Sequence, residues 1–446
     1  MKNTSGSSRL RMMTETPVPQ LIVRLSIPTI ISMLVTGIYN TADTFFVGRI
    51  STQATAAVGL VFSVMALIQA LGFFCGHGSG NYLSRMLGAG NRREADEMAA
   101  TGFAFALIVG CLVTVTGLLN LNAIASLLGA TPTTMADTCS YMRIILLGAP
   151  FMTCQFVVNN QLRFQGAAVY AMVGLMSGAA LNLVLDPLLI FVFHLGVAGA
   201  AIATVMGQIT SFIVLLAGST KGENIHLRFS NIRMNRHYLF ELVNGGAPSL
   251  FRQGMAAIAT LLLNTAAGSL GGDAAIAGMS VVTRVMLLLS AALIGFGQGY
   301  QPVCSFNYGA GLTKRVREGY FFCVKYATVF LSVLAVLCFL FAPQIIGWFR
   351  NDPDVIAVGR VALRCQSVTL PLMAPIVLSN MMLQSIGKGL KATICASARN
   401  GLFFIPLILI LPRLFGLTGV EVTQACADLL TFTVSVPLAW SELRTM

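Results

Sequence analysis

Charge is scarce in this chain. Asp, Glu, Lys and Arg make up 10% of its 446 residues, where a soluble domain carries about 25%. Hydrophobic residues reach 56% and the mean hydropathy is +0.80. No single core could absorb that much apolar surface, so the solvent for most of the chain is lipid. Histidine is rare, at four residues, and no HExxH, GxSxG or P-loop pattern occurs, which argues against a zinc hydrolase, a serine hydrolase or a nucleotidase. The ten cysteines include no CxxC pair, so they read as small apolar packing residues, not metal ligands or disulfides. The first twenty or so residues are polar, hold Pro17 and Pro19 and contain no signal-peptide apolar region; the first apolar run should therefore persist as a membrane span.

What is abundant is long apolar stretches. A span needs roughly 20 such residues, and about twelve are present, near 25–48, 54–83, 98–119, 140–160, 170–193, 196–218, 240–269, 274–307, 319–342, 357–386, 391–412 and 416–440. The formal net charge of +12 would point to nucleic acid in a soluble protein. Here the basic residues cluster in alternate loops: Arg85, Arg92 and Arg93; Lys221, Arg228, Arg233 and Arg236; Lys314, Arg315 and Arg317; Lys388 and Lys391. That bias is the positive-inside signal, which predicts both termini in the cytoplasm and no nucleic-acid partner.

The chain repeats itself. Arg143, Pro150, Asn159, Leu162 and Gly166 recur as Arg364, Pro371, Asn380, Leu383 and Gly387, an offset of 221; Gly76, Gly78, Gly88, Ala89 and Gly90 recur as Gly297, Gly299, Gly309, Ala310 and Gly311. Two multi-span halves in one bilayer protein is an architecture of secondary transporters, with the substrate path between the halves. The expected organisation is a cytoplasmic tail over 1–20, six spans over 21–218, a polar cytoplasmic linker over 219–239 and six spans over 240–446. With six spans each, the halves are parallel repeats.

A carboxylate inside a span is expensive unless paired, protonated or wetted. Asp43 and Asp186 stand out. The alternating topology puts Asp43 about 8 Å, Asp186 about 10 Å and Thr204 about 12 Å below the outer surface, with Asn182 one turn deeper than Asp186 on the same face. If these faces point inward, two carboxylates, an amide and a hydroxyl meet in one layer. Two carboxylates in low dielectric cannot both stay ionised cheaply, so the group suits a proton or Na⁺. The competing readings are that each acid satisfies a neighbouring backbone or hydroxyl group, or that Asp43 is hydrated at the interface. The acids are not repeated: Asp43 aligns with Ala267, and Asp186 with Leu407 or Pro406. The second half instead carries Arg252, Arg284, Glu421 and Asp428. Arg284 reads as an internal ion-pair partner or as a contact for substrate or anionic lipid. Glu421 and Asp428, seven residues apart, read as structural pairing ahead of a second cation site. Methionine and phenylalanine are plentiful and suit an adaptable cavity, with Phe151, Phe156, Met286, Tyr300 and Met382 as candidates.

The chain resembles the multidrug and toxin extrusion (MATE) family over essentially its whole length. The resemblance rests on Pro28, on Asp43-Thr-Phe-Phe-Val-Gly-Arg, on the Gly88-Ala-Gly-Asn-Arg turn repeated as Gly309-Ala-Gly, on Asn182-Leu-Val-Leu-Asp186-Pro and on Gly196-Val-Ala-Gly-Ala-Ala-Ile-Ala-Thr204. It implies an all-α integral membrane protein of two pseudo-symmetric six-helix lobes. The implied activity is export of amphipathic, often cationic drugs in exchange for H⁺ or Na⁺, with no cofactor and no structural metal. It also implies a cation site of Asp43, Asn182, Asp186 and Thr204, and a bend of the first helix at Pro28. Some relatives place a glutamate in the seventh span, where this chain has Arg252 and Gln253, and an acid can occur where it has Asn380; coupling should thus run through the first half. A monomer in a bacterial inner membrane is expected. The alternatives are a lipid-linked oligosaccharide flippase, which should need a strongly basic cavity, a passive channel and a membrane enzyme.

Overall fold

The computed structural model describes residues 5–446, with the side chains of residues 5–7 and 38–44 outside the described set. Among the described residues there are helices and turns and no strand. Eleven helices among the described residues are long and apolar enough to cross a bilayer. Six belong to the first half: α1 (Val18–Gly48), α2 (Thr52–Gly88), α3 (Arg92–Leu119), α4 (Met135–Phe164), α5 (Ala168–Pro187, continued by a π-helical turn Leu188–Val192) and α6 (Gly196–Ser219).

The seventh, Arg236–Gly309, runs for 74 residues, about 110 Å at 1.5 Å per residue, which is several times the ~30 Å hydrocarbon core. It is broken at Gly272, whose φ of 60° and ψ of −153° are not helical. The arms on either side are two crossings, α7 before the break and α8 after it. Four more follow: α9 (Thr313–Leu340), α10 (Pro353–Ser385), α11 (Gly389–Phe415) and α12 (Leu417–Thr445). The total among the described residues is twelve, six per half. The Gly272 backbone lies in a region essentially closed to residues with a Cβ. Gly272→Ala should therefore lower stability by about 1–3 kcal/mol, read as a drop in the midpoint of thermal unfolding in detergent; an unchanged midpoint would show that the break relaxes freely.

Lipid offers helices no hydrophobic reason to associate, so close backbone approach through small residues does much of the packing. A Cβ on Gly178 would strike the Gly207 carbonyl and the Ser211 hydroxyl, which locks α5 against α6; Gly76 and Gly80 of α2 admit Asn160 and Phe164 of α4 in the same way. The repeat extends to hydrogen bonds. Asn159 Nδ2 donates to Ala171 O at 3.0 Å, and its repeat partner Asn380 donates to Ala392 O at 2.6 Å.

The halves touch at the end that carries the basic turns. There Gly88 lies against the Phe306 carbonyl and Gly309 against the Arg85 carbonyl, so neither can accept a side chain. Ser305 Oγ donates to Asn81 Oδ1 at 3.1 Å, and Arg85 pairs with Glu241 at 2.9 Å. Deeper in, Thr29 Oγ1 of α1 donates to Gly295 O of α8 at 2.6 Å. Beyond that level no hydrogen bond or ion pair joins the halves among the described residues, and a cavity opens. The residues preceding α1 include a helix, Ser5–Glu15. Its Met13 is fully buried, its Arg9 donates to Asn224 at 2.8 Å, and the Met13 carbonyl accepts from Asn307 at 3.1 Å. The helix thus spans the linker and the second half beneath the closed end.

Candidate functional site

A cavity of about 530 Å³ lies between the halves and takes walls from both. Its apolar surface comes from Met33, Phe73, Phe156, Met286, Met373 and Phe404. Amides alternate with them, including Gln69, Gln155, Gln208, Gln253 and Gln298. Flexible thioethers, aromatic faces and neutral amides make a wall that can meet many shapes without demanding one charge pattern. The wall includes Arg252 and Arg399 and no carboxylate among the described residues.

On the first-half side, the close crossing of α5 and α6 assembles a polar group. Asp186 is fully buried, and Asn182 and Thr204 are 2% and 1% exposed. With its amide nitrogen turned to the carboxylate, Asn182 donates to Asp186 Oδ2 at 3.0 Å, and its oxygen accepts from the Thr204 backbone N–H at 3.2 Å. Asn182 and Thr204 both reach the cavity wall, so Asp186 sits one side chain behind it. Thr204 Oγ1 is buried without a hydrogen-bond partner among the described residues. The helix changes to π geometry directly after Asp186-Pro187; Pro187 has no N–H to give the preceding turn, and π segments recur at functional positions.

Three of the four residues expected to form a cation site therefore come together. Asp43 lies on α1, but its side chain is outside the described residues. Pro28 is buried within α1, which is helical on both sides of it.

The cavity candidates divide. Phe156 and Met286 are on the wall. Phe151 is not: it is 41% exposed on the outer face of α4 and packs edge-on against Phe212. Tyr300 and Met382 are fully buried in the core of the second half. Arg284 points away from the cavity that its neighbour Thr283 lines, is exposed, and forms no ion pair among the described residues. One residue of helical rotation decides between wall and lipid, and a glance at aromatic content cannot supply that phase. Asp428 is held by Arg399 at 2.7 Å and by Gln424 at 3.0 Å. Arg399 escaped notice as a member of this group. Its signal was present, a lone arginine in one span facing a lone aspartate in the next.

The MatE family profile matches residues 28–188 and again residues 248–410. The chain is similar to multidrug export protein MepA of Staphylococcus aureus (strain MSSA476), at 29% identity over 416 residues, covering 91% of this chain and 90% of that one. Among solved structures it resembles a MATE transporter in complex with MaL6, with a TM-score of 0.92 at 26% identity over 100% of this chain and 99% of the other. An outward-facing multidrug resistance MATE family transporter of the MOP superfamily also matches at a TM-score of 0.92, with 27% identity and the same coverage. Two profile matches, one per half, and a fold shared with MATE transporters over the whole chain define an integral membrane transporter. The chain belongs to the MatE family, and its work is transport, not enzymatic catalysis.

Proposed function

We propose that this protein is a multidrug efflux antiporter that exports amphipathic compounds in exchange for H⁺ or Na⁺ by alternating access of two lobes, residues 21–218 and 240–446. The observation that carries the reading is a buried carboxylate, Asp186, held one side chain behind the wall of a cavity shared by both lobes. A cation that enters beside Asp186, Asn182 and Thr204, with Asp43 of α1 as a further ligand, neutralises the group. α1 then repacks about Pro28 and the bound compound leaves. The cation drives this change only through its different affinity for the two states. The basic turns support a cytoplasmic position for the closed end, with the cavity facing outward and both termini inside. A lipid-linked oligosaccharide flippase is disfavoured because the wall holds only two arginines, one already paired with Asp428.

The test is efflux of a fluorescent dye from proteoliposomes of the purified protein under proton and sodium gradients imposed separately. Dye should be driven out by at least one gradient and stay put without either. Dye movement that ignores both gradients would identify a passive pore instead.

A further inference from the structure

The charge on the cavity wall points the other way from the organic cations that such a transporter would first be tested with. Arg252 of α7 lines the cavity and has no ion pair with any carboxylate among the described residues. At the cavity floor lies Arg163 of α4, 3% exposed. Its two terminal nitrogens donate to the neutral amide oxygens of Gln298 and Asn160, and its Nε has no partner. Gln298 itself is on the cavity wall, so it separates Arg163 from the cavity by one side chain. Arg399, the other cationic wall residue, is neutralised by Asp428. Two arginines without an acidic partner among the described residues, beside a wall that carries no carboxylate among them, focus a positive potential in the cleft. Arginine also presents a planar fork that fits a carboxylate, sulfonate or phosphate with two hydrogen bonds.

We infer that Arg252, supported by Arg163 through Gln298, is a subsite for the anionic group of an acid-bearing amphiphile bound in the central cavity. The inference rests on the transporter reading above and adds the charge class of its substrate. The opposite wall, where Asn182 and Thr204 screen Asp186, suits the basic end of the same molecule. A zwitterion with an aromatic body would thus lie across the cavity, its acid toward α7 and its amine toward α5. Entry of the coupling cation beside Asp186 would displace the amine while the acid end is still held. The aromatic and thioether groups between the two ends need only to be adaptable.

The experiment compares rhodamine B, which carries a free carboxylate, with its ethyl ester, which shares the ring system and is purely cationic. Binding of each to the purified full-length protein in detergent is measured by fluorescence anisotropy at fixed pH and salt. The acid should bind about tenfold or more tightly than the ester, the scale of one charge-assisted contact. Arg252→Gln should erase that preference by weakening the acid alone, while Arg252→Lys should retain part of it. Equal binding of acid and ester to the unmodified protein, or binding of neither, overturns the subsite, and needs no variant that folds. An Arg252→Gln protein that loses both probes equally also overturns it. Gradient-driven export is measured separately in proteoliposomes. Export of both probes with equal affinity would leave antiport standing and remove the subsite. Acid-selective binding without gradient-driven export would do the reverse.

Discussion

Asp186→Asn is expected to leave the protein folded and able to bind its transported compounds, and to reduce gradient-driven export by about a hundredfold or more. The substitution keeps the shape of the side chain. The asparagine oxygen can still accept from Asn182, which now approaches the Asp186 oxygen at 3.0 Å, so the crossing of α5 and α6 through Gly178 and Gly207 should persist. What is lost is the charge. A unit charge acting on a cation at 4 Å is worth roughly 4 kcal/mol at an effective dielectric constant of 20, and each 1.4 kcal/mol is tenfold in an equilibrium constant. Differential affinity of that size is what an antiporter needs to move its population from one opening to the other. Without it the imposed gradient has little to act on. The check is paired: melting temperature and dye binding for the purified variant, and efflux under each gradient after reconstitution. An Asp186→Asn protein that still exports at half the normal rate under the same gradient would falsify the coupling role. One that fails to bind dye would show that Asp186 instead belongs to the substrate site.

The fold was readable because lipid imposes coarse rules. Long apolar runs, loop charge bias and a 221-residue offset are each insensitive to side-chain phase. They indicated the number of crossings and the two-lobe plan, including a division between the seventh and eighth spans where the chain is helical almost without interruption. Only the backbone at Gly272 marks that division. The site was partly readable for a related reason. Asn182 and Asp186 are one turn apart, so a single helix settles their contact, and Thr204 follows from the small residues that let α6 approach. Contacts between halves were not readable. Arg85 looked like one more basic residue of a cytoplasmic turn, yet it is 8% exposed and pairs with Glu241, 156 positions away. Nothing in one sequence encodes the rotation of a helix about its own axis, which is why Phe156 reaches the cavity while Phe151 faces away from it.

In the proposed alternating-access cycle, Arg85→Gln is expected to shift the protein from the outward-open toward the inward-open state. Arg85 of α2 pairs with Glu241 of α7 at 2.9 Å and donates to the Ser385 carbonyl of α10 at 3.2 Å. Its guanidinium also lies 5.5 Å from the centre of the Tyr82 ring. The partners on α7 and α10 belong to the other half, so these contacts exist only while the basic-turn end is closed. The side chains of Arg85 and Glu241 are 10% and 19% exposed. Removing one member of a largely buried pair costs about 3–5 kcal/mol, because the other charge is left without compensation. The penalty falls on the closed end alone. Once the halves part there, Glu241 is hydrated and pays nothing. A bias of that size changes the ratio of the two states by roughly a hundred- to a few-thousandfold, enough to invert a modest preference. Hydrogen–deuterium exchange reports the change directly. Amides near 79–88 of α2 and 300–309 of α8, now sealed by the Gly88 and Gly309 contacts, should lose protection in the variant, and the cavity-lining stretch near 252–263 should gain it. The pair Arg93–Glu97 supplies the control. It joins one turn of α3 to the next; the arginine side chain is 82% exposed, and without it Glu97 keeps Tyr238 at 2.6 Å and Arg233 at 3.7 Å, so its loss costs well under about 1 kcal/mol. Arg93→Gln should therefore leave the exchange pattern as it was. If Arg85→Gln also leaves it as it was, the closed end is held by backbone packing at the two glycines, and the ion pair is a consequence of closure rather than its cause.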